Sequence, residues 1–137
     1  MLTMTMRLVA ATSGIALAVS GLAAGGAAAA PQGVSAQSCY GSAKTYSKPE
    51  GMAAHPNWTK GSYYKTTGNC NDINIRPNTN RYVSVCLLDS RGYVHCQGTW
   101  KLATAKQWNT IATNVATGTK FYFLFRSTAK STGSYAA

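Results

Sequence analysis

Acidic side chains are almost missing from this chain. Its 137 residues carry three, Glu50, Asp72 and Asp89, against thirteen Lys and Arg. A glycoside-cleaving site needs two carboxyl groups flanking one bond, and these three read instead as turn or surface residues. Glu50 sits between Pro49 and Gly51, Asp72 opens a strand-like run, and Asp89 falls in a loop. No Gly-x-Ser-x-Gly elbow is present, and the glycines are dispersed among turns instead of gathered into a phosphate-cradling loop. No pair of cysteines has the short spacing of a zinc finger, which leaves His95 beside Cys96 as a lone ligand candidate. Beyond residue 36 no stretch shows a sustained helical stripe. The length leaves room for one domain and is too short for most cofactor-binding enzyme architectures. No catalytic residue, metal or cofactor is expected.

The N-terminal 36 residues differ from the rest. They hold one charged side chain, Arg7, no Cys, and a low-polarity run from Leu8 to Ala30 rich in Ala and Gly. This is the pattern of an export signal, with small-residue cleavage motifs at Ala28-Ala29-Ala30 and Val34-Ser35-Ala36. Cleavage after Ala36 is preferred, because the first motif would put Pro31 directly after the cut. The run is long enough to span a bilayer, but Ala and Gly supply little transfer energy and no basic stop-transfer cluster follows. There is no lipobox before Cys39 and no twin arginine. The expectation is a signal peptide over 1–36 and a single secreted, extracellular domain over 37–137, with no membrane span once the signal is removed.

All four cysteines, Cys39, Cys70, Cys86 and Cys96, lie in that domain. An even count in a small exported chain points to disulfides. Residues 87–94 read as a hairpin with a three-residue loop ending in Gly92, which can take the left-handed conformation. That register sets Leu88 opposite Val94 and Cys86 opposite Cys96, so Cys86–Cys96 and Cys39–Cys70 bonds follow. A two-residue loop would shift the register and undo the pairing.

Elsewhere the pattern is β. Ser62–Thr66, Asp72–Arg76, Arg81–Asp89, Tyr93–Trp100, Trp108–Val115 and Lys120–Ser127 read as strands, with Pro77–Asn80 and Thr117–Thr119 as turns. Tyr82 is expected opposite Trp100. Phe121, Phe123 and Phe125 share one face of the last strand. Leu102–Lys106 is read as a single helical turn, and 37–60 as irregular structure with short extended pieces. Short strands between turn signals predict an all-β fold, a small antiparallel β-sandwich or barrel with two disulfides.

Three stretches resemble a family of small basic secreted two-disulfide β proteins of filamentous actinomycetes: Ser38-Cys39-Tyr40-Gly41-Ser42-Ala43, Asn71-Asp72-Ile73-Asn74-Ile75-Arg76, and the run from Gly118 through Lys120-Phe121-Tyr122-Phe123 to Thr128. They cover structural motifs, and the family brings no catalytic residues with it. In size, export and charge the chain is also similar to the small adaptor subunit of secreted umbrella-toxin particles, which joins an acidic stalk protein to a lectin-bearing subunit.

Positive charge is the strongest functional signal. Residues 37–137 carry twelve basic and three acidic side chains, a net of +9. Solubility alone does not require that imbalance. An acidic secreted protein is the favoured partner and an anionic cell-wall polymer the second; nucleic acid is a lesser candidate for an exported chain. The residues expected to form the binding surface are Arg76, Arg81, Arg91, Lys101, Lys120, Arg126, Tyr82 and Tyr93. Two alternatives stand beside a non-catalytic subunit or adaptor of an extracellular toxin assembly. One is an antimicrobial protein acting on anionic envelopes. The other is a small ribonuclease using Glu50, His55, His95 and Arg76 or Arg126. Asn57-Trp58-Thr59 also matches a glycosylation sequon.

Overall fold

The computed structural model describes residues 35–137; the expected signal peptide, apart from Ser35 and Ala36, lies outside the described residues. The elements in chain order are a short helix α1 (Ala36–Gly41), β1 (Lys44–Lys48), β2 (Ala54–His55), a 3-10 turn (Trp58–Lys60), β3 (Tyr64–Lys65), β4 (Ile73–Pro77), β5 (Arg81–Leu88), β6 (Val94–Cys96), β7 (Lys101–Ala103), β8 (Asn109–Ala112), β9 (Lys120–Phe125) and β10 (Ser131–Ala136).

The strands form two antiparallel sheets. One has six strands along the path β2-β9-β5-β6, with β3 also on β9 and β7 also on β5; the other has four, in the order β1-β10-β4-β8. Strand alternation explains why the two sheets close on each other. Phe121, Phe123, Phe125, Val83 and Val85 point from the six-stranded sheet to one interior, and Tyr46, Ile73, Ile75, Ile111 and Tyr135 reach it from the four-stranded sheet. Each fully buried Phe, Ile or Val contributes about 1.5–3 kcal/mol. The Tyr64 and Tyr135 rings stack across the sheets at 4.0 Å. The fold is all-β, a two-sheet antiparallel sandwich.

Both expected disulfides are present, Cys39–Cys70 and Cys86–Cys96. The hairpin register is as read: Cys86 faces Cys96 and Leu88 faces Val94. Gly92 sits at φ 87°, and the loop closes through Asp89 N–H to the Tyr93 carbonyl at 3.0 Å.

Further along, the register changes. Tyr82 faces Leu102, not Trp100. Beyond Cys96 the chain bulges through Gly98 at φ 78°, and the Gln97 side chain replaces the missing ladder bonds. Its Oε1 accepts from the Val85 N–H at 2.9 Å, and its Nε2 donates to the Ile111 carbonyl at 2.8 Å. Leu102–Lys106 is likewise not a helical turn. Leu102 is in β7, and side-chain acceptors capture the next two N–H groups, Thr104 by Asn109 Oδ1 and Ala105 by Asn80 Oδ1. Lys106 then turns at φ 62°. The strand expected over Trp108–Val115 stops at Ala112, because Asn114 is left-handed at φ 55° with its N–H held by Asp72 Oδ1. Ser62–Thr66 reduces to the two residues of β3. Within 37–60, read as irregular, lie most of α1 and the whole of β1.

Helix α1 covers the Asn74 and Ala136 end of the outer face of the four-stranded sheet. Cys39, Cys70 and Ala136 form a second small core there, with Tyr40 and Trp108 against it, and the Tyr40 and Trp108 rings stack at 4.6 Å. Buried Asn74, on the same face, donates to the Ala136 and Asp72 carbonyls and accepts from Thr110.

Candidate docking surface

The outer face of the six-stranded sheet is covered at its middle, where Ser84, Cys86 and Tyr122 are buried, and stays open toward Tyr82 and Leu102 at one end and Lys120 at the other. With Phe121, Phe123 and Phe125 inward, alternation turns Lys120, Tyr122 and Leu124 of β9 outward, and Arg126 follows. Beside them β5 presents Tyr82, Ser84, Cys86 and Leu88 in register, Leu88 facing Lys120, Cys86 facing Tyr122 and Ser84 facing Leu124. Arg126 extends the ladder by donating its N–H to the Tyr82 carbonyl at 3.0 Å. Its guanidinium lies 3.8 Å from the Tyr82 ring centroid.

The 3-10 turn brings Trp58 onto this face. Lys60 and Ser62 both donate N–H groups to the Asn57 carbonyl, and Gly61 ends the turn in the left-handed region at φ 77°. Trp58 is thereby laid flat on Tyr122, 5.7 Å between centroids with planes 10° apart. Tyr122 is almost fully covered, while Trp58, Tyr82, Trp100 and Leu102 remain 37–43% exposed. Large aromatic and aliphatic side chains left in water beside an arginine are what interface centres are built from. In the sequon, the Thr59 hydroxyl donates to Asn57 Oδ1 at 2.6 Å.

At the far end of the face, Lys120 stands beside Lys65, its cross-strand neighbour, with its ammonium 5.8 Å from the Tyr63 ring centroid. The hairpin tip follows. Asp89 Oδ2 accepts from His95 Nε2 at 3.0 Å and from the Arg91 guanidinium at 3.2 Å. These bonds, the one from His95 foremost, with the backbone N–H groups of Tyr93 and Arg91, pull the Asp89 carboxyl down to about 2. Arg91 also lies 4.9 Å from the Tyr93 ring centroid.

Of the eight residues expected to bind, Tyr82, Lys120 and Arg126 thus share the open face, and Arg91 and Tyr93 sit at the hairpin tip. The other three are elsewhere. Arg76 is exposed on β4, in the opposite sheet. Arg81 flanks the same turn but donates to the Asn80 and Lys130 carbonyls. Lys101 is tied across the sandwich to the Thr110 carbonyl. Trp58, Tyr122, Leu102 and Lys65 join the face although they are not among those eight. Only the register and the stacking reveal them.

Lys48 is the one basic residue fully buried among those described. Its ammonium donates to the Met52 and Ala129 carbonyls and lies 5.2 Å from the Phe125 ring centroid. Burial, helped by the nearby Arg81 charge, lowers its pKa.

The ribonuclease candidates do not converge. His55, on β2, packs among Tyr46 and Tyr64, and burial with the Lys48 charge lowers its pKa. His95 lies on β6 at the other edge of the sheet, with β9 and β5 between, a separation on the order of 15 Å from strand spacing. Glu50 is exposed in a turn. Among the described residues no three His, Cys, Asp or Glu side chains gather as metal ligands, and no helix is long and apolar enough to cross a membrane.

Against protein-family models, curated proteins and solved structures, the chain has no match.

Proposed function

We propose that this protein is a secreted, non-catalytic binding module whose open sheet face docks onto an acidic partner protein, as a subunit or adaptor of an extracellular toxin assembly. The observation that carries this reading is the asymmetry of the sandwich. α1 covers part of one outer face, while the other leaves Trp58, Tyr82 and Leu102 partly in water with Arg126 at one end and Lys120 and Lys65 at the other. Charge supports it further. Only Glu50, Asp72 and Asp89 oppose the basic excess, and Asp89 is already paired with Arg91 and His95. Two disulfides suit an oxidising compartment, as does the leader over 1–36.

In this mode the basic residues set the encounter rate and its salt dependence, and the aromatics supply the desolvated centre. Arg126 is already held on Tyr82, so little of its side-chain freedom is lost on binding. The distance between His55 and His95 supports a binding role over the ribonuclease reading.

The test is size-exclusion chromatography of native culture supernatant at low and high salt, with the protein followed by mass spectrometry. Elution in a large complex with acidic proteins at low salt, released at high salt, is the expected result. Elution as a monomer at both salts overturns the proposal.

A further inference from the structure

β6 ends the six-stranded sheet, and its outer edge is unpaired. Two hydrogen bonds set which of its groups face outward. Asp89 donates its N–H to the Tyr93 carbonyl, and Gln97 donates its N–H to the Val85 carbonyl. Bonded and non-bonded pairs alternate in an antiparallel ladder. Leu87 with His95 is therefore a bonded pair, while Leu88 with Val94 and Cys86 with Cys96 are not. The N–H and C=O groups of Val94 and Cys96 thus point away from β5. None of them has a partner among the described residues, and His95 and Cys96 are exposed.

A cavity of about 390 Å³ lies beneath this edge, between β6 and residues 112–116. Its lining changes character with depth. Val85 and Ala112 are buried, and Leu87 and Val115 are half-buried against the core. Polar Thr113, Asn114 and Gln97 are exposed at the rim, and the Gln97 amide is engaged at both ends. The Thr119 hydroxyl already donates to the Ala116 carbonyl. His95 lines the same cavity and shares the inward face of the sheet with Leu87, its cross-strand partner. A strand laid along β6 would bond Val94 and Cys96 through its backbone, and its residue beside His95 would point into the cavity.

Backbone bonds along an edge, with alternate side chains seated in a pocket, are how a sheet takes up an extended peptide. β1 is a longer edge, but its inward Tyr46 and Lys48 are already buried. Charge selects the guest. Lys120 lines the cleft that adjoins the cavity at Leu87, His95 and Thr119, and it makes no ion pair among the described residues. A second copy of residues 37–137 would bring +9 against +9, whereas an acidic segment is attracted.

We infer that the β6 edge takes up an extended acidic segment of another protein. The segment pairs its backbone with Val94 and Cys96 and seats one bulky apolar side chain in the cavity. This edge is a site of its own, and it does not depend on docking at Tyr82 and Arg126.

The probe is a synthetic peptide of seven residues that alternates Glu with Val and carries Phe at its centre. It is titrated into the isotope-labelled protein and followed by amide NMR. Saturable shifts should fall on residues 94–97 and 112–116, and hydrogen exchange at the Val94 and Cys96 amides should slow. N-methylation of the two Glu flanking Phe removes the donors that face the edge and should weaken binding about tenfold. Ala in place of Phe, or Lys in place of every Glu, should each cost about tenfold as well. Val94→Pro deletes an N–H that no ladder bond uses and should weaken the parent peptide about fivefold. The unbound spectrum shows whether that variant is folded, and the N-methylated peptide makes the same test on the unaltered protein. Equal affinity for the N-methylated, Ala or Lys peptide overturns the inference. So do shifts confined to the Tyr82 and Arg126 end with exchange at Val94 and Cys96 unchanged, and no saturation at millimolar peptide. Protection of those two amides that rises with protein concentration alone would give the edge to a second copy and overturn it too.

Discussion

Arg126 and Tyr82 hold each other twice, once through the backbone, N–H to carbonyl at 3.0 Å, and once through guanidinium on ring at 3.8 Å. The strand pairing fixes where the ring is, and the ring fixes where the charge is. A flexible arginine becomes a positioned cation beside an exposed aromatic surface.

The first prediction separates binding from stability at this pair. Tyr82→Ala or Arg126→Ala should lower stability by no more than about 1 kcal/mol, the value of an exposed cation–π contact. Either change should release the protein from its acidic partner at a lower salt concentration. Chemical denaturation reads the first quantity and salt-stepped co-elution the second. A large loss of stability with unchanged co-elution would place the pair among purely structural contacts.

Gln97 should matter more than its exposed position implies. Gln97→Ala leaves the Val85 N–H and the Ile111 carbonyl without the partners it supplies. Each unpaired group costs about 1–3 kcal/mol where water cannot replace the partner. Urea unfolding should show a loss of about 2–4 kcal/mol, and hydrogen exchange at the Val85 amide should accelerate. Gln97→Glu keeps the acceptor but not the donor and should recover only part of the loss.

The two disulfides should differ in weight. Cys39–Cys70 spans a sequence separation of 31 and Cys86–Cys96 one of 10. Loop-closure entropy assigns about 3–4 kcal/mol to the first and about 2–3 kcal/mol to the second. Paired Cys→Ser variants measured by denaturation should reproduce that order.

Stability should form a plateau in pH with two unlike edges. The Asp89 carboxyl titrates at about 2 in the fold against an ordinary 3.8, so its contribution is full above about pH 4 and fades as pH falls toward 2. Tyr46, Tyr64 and Tyr135 behave oppositely. Burial raises each above the ordinary value of 10.0, so their contribution is full below pH 10 and fades as the solution becomes more alkaline. Asp89→Asn should flatten the acid edge and leave the alkaline one in place. Denaturant midpoints across pH check both.

The hairpin was legible from sequence because its signals are local. Gly92 sets the turn, and the spacing of Cys86 and Cys96 agrees with it. β10 was not, although it lies at the centre of its sheet between β1 and β4. Its sequence Ser-Thr-Gly-Ser-Tyr-Ala shows one large apolar side chain, and Gly133 is demanded by a neighbour far away in sequence. A Cβ there would stand 2.8 Å from the Pro77 Cα and collide with the Arg76 carbonyl. Lys48 was hidden by its type, since nothing local says that a lysine will lie against Phe125. The docking face was half legible. Basic and aromatic residues were visible as a population, but only the pairing of β4 into one sheet and of β9 into the other places Arg76 and Arg126 on opposite sheets.

The Cys39–Cys70 bond has a practical reading. It fastens the start of the described chain to the four-stranded sheet, on the side of the sandwich away from Tyr82 and Arg126. A fluorophore or a surface linkage attached at Gln37 would hold the molecule from behind, with its open face free to meet whatever is passed over it.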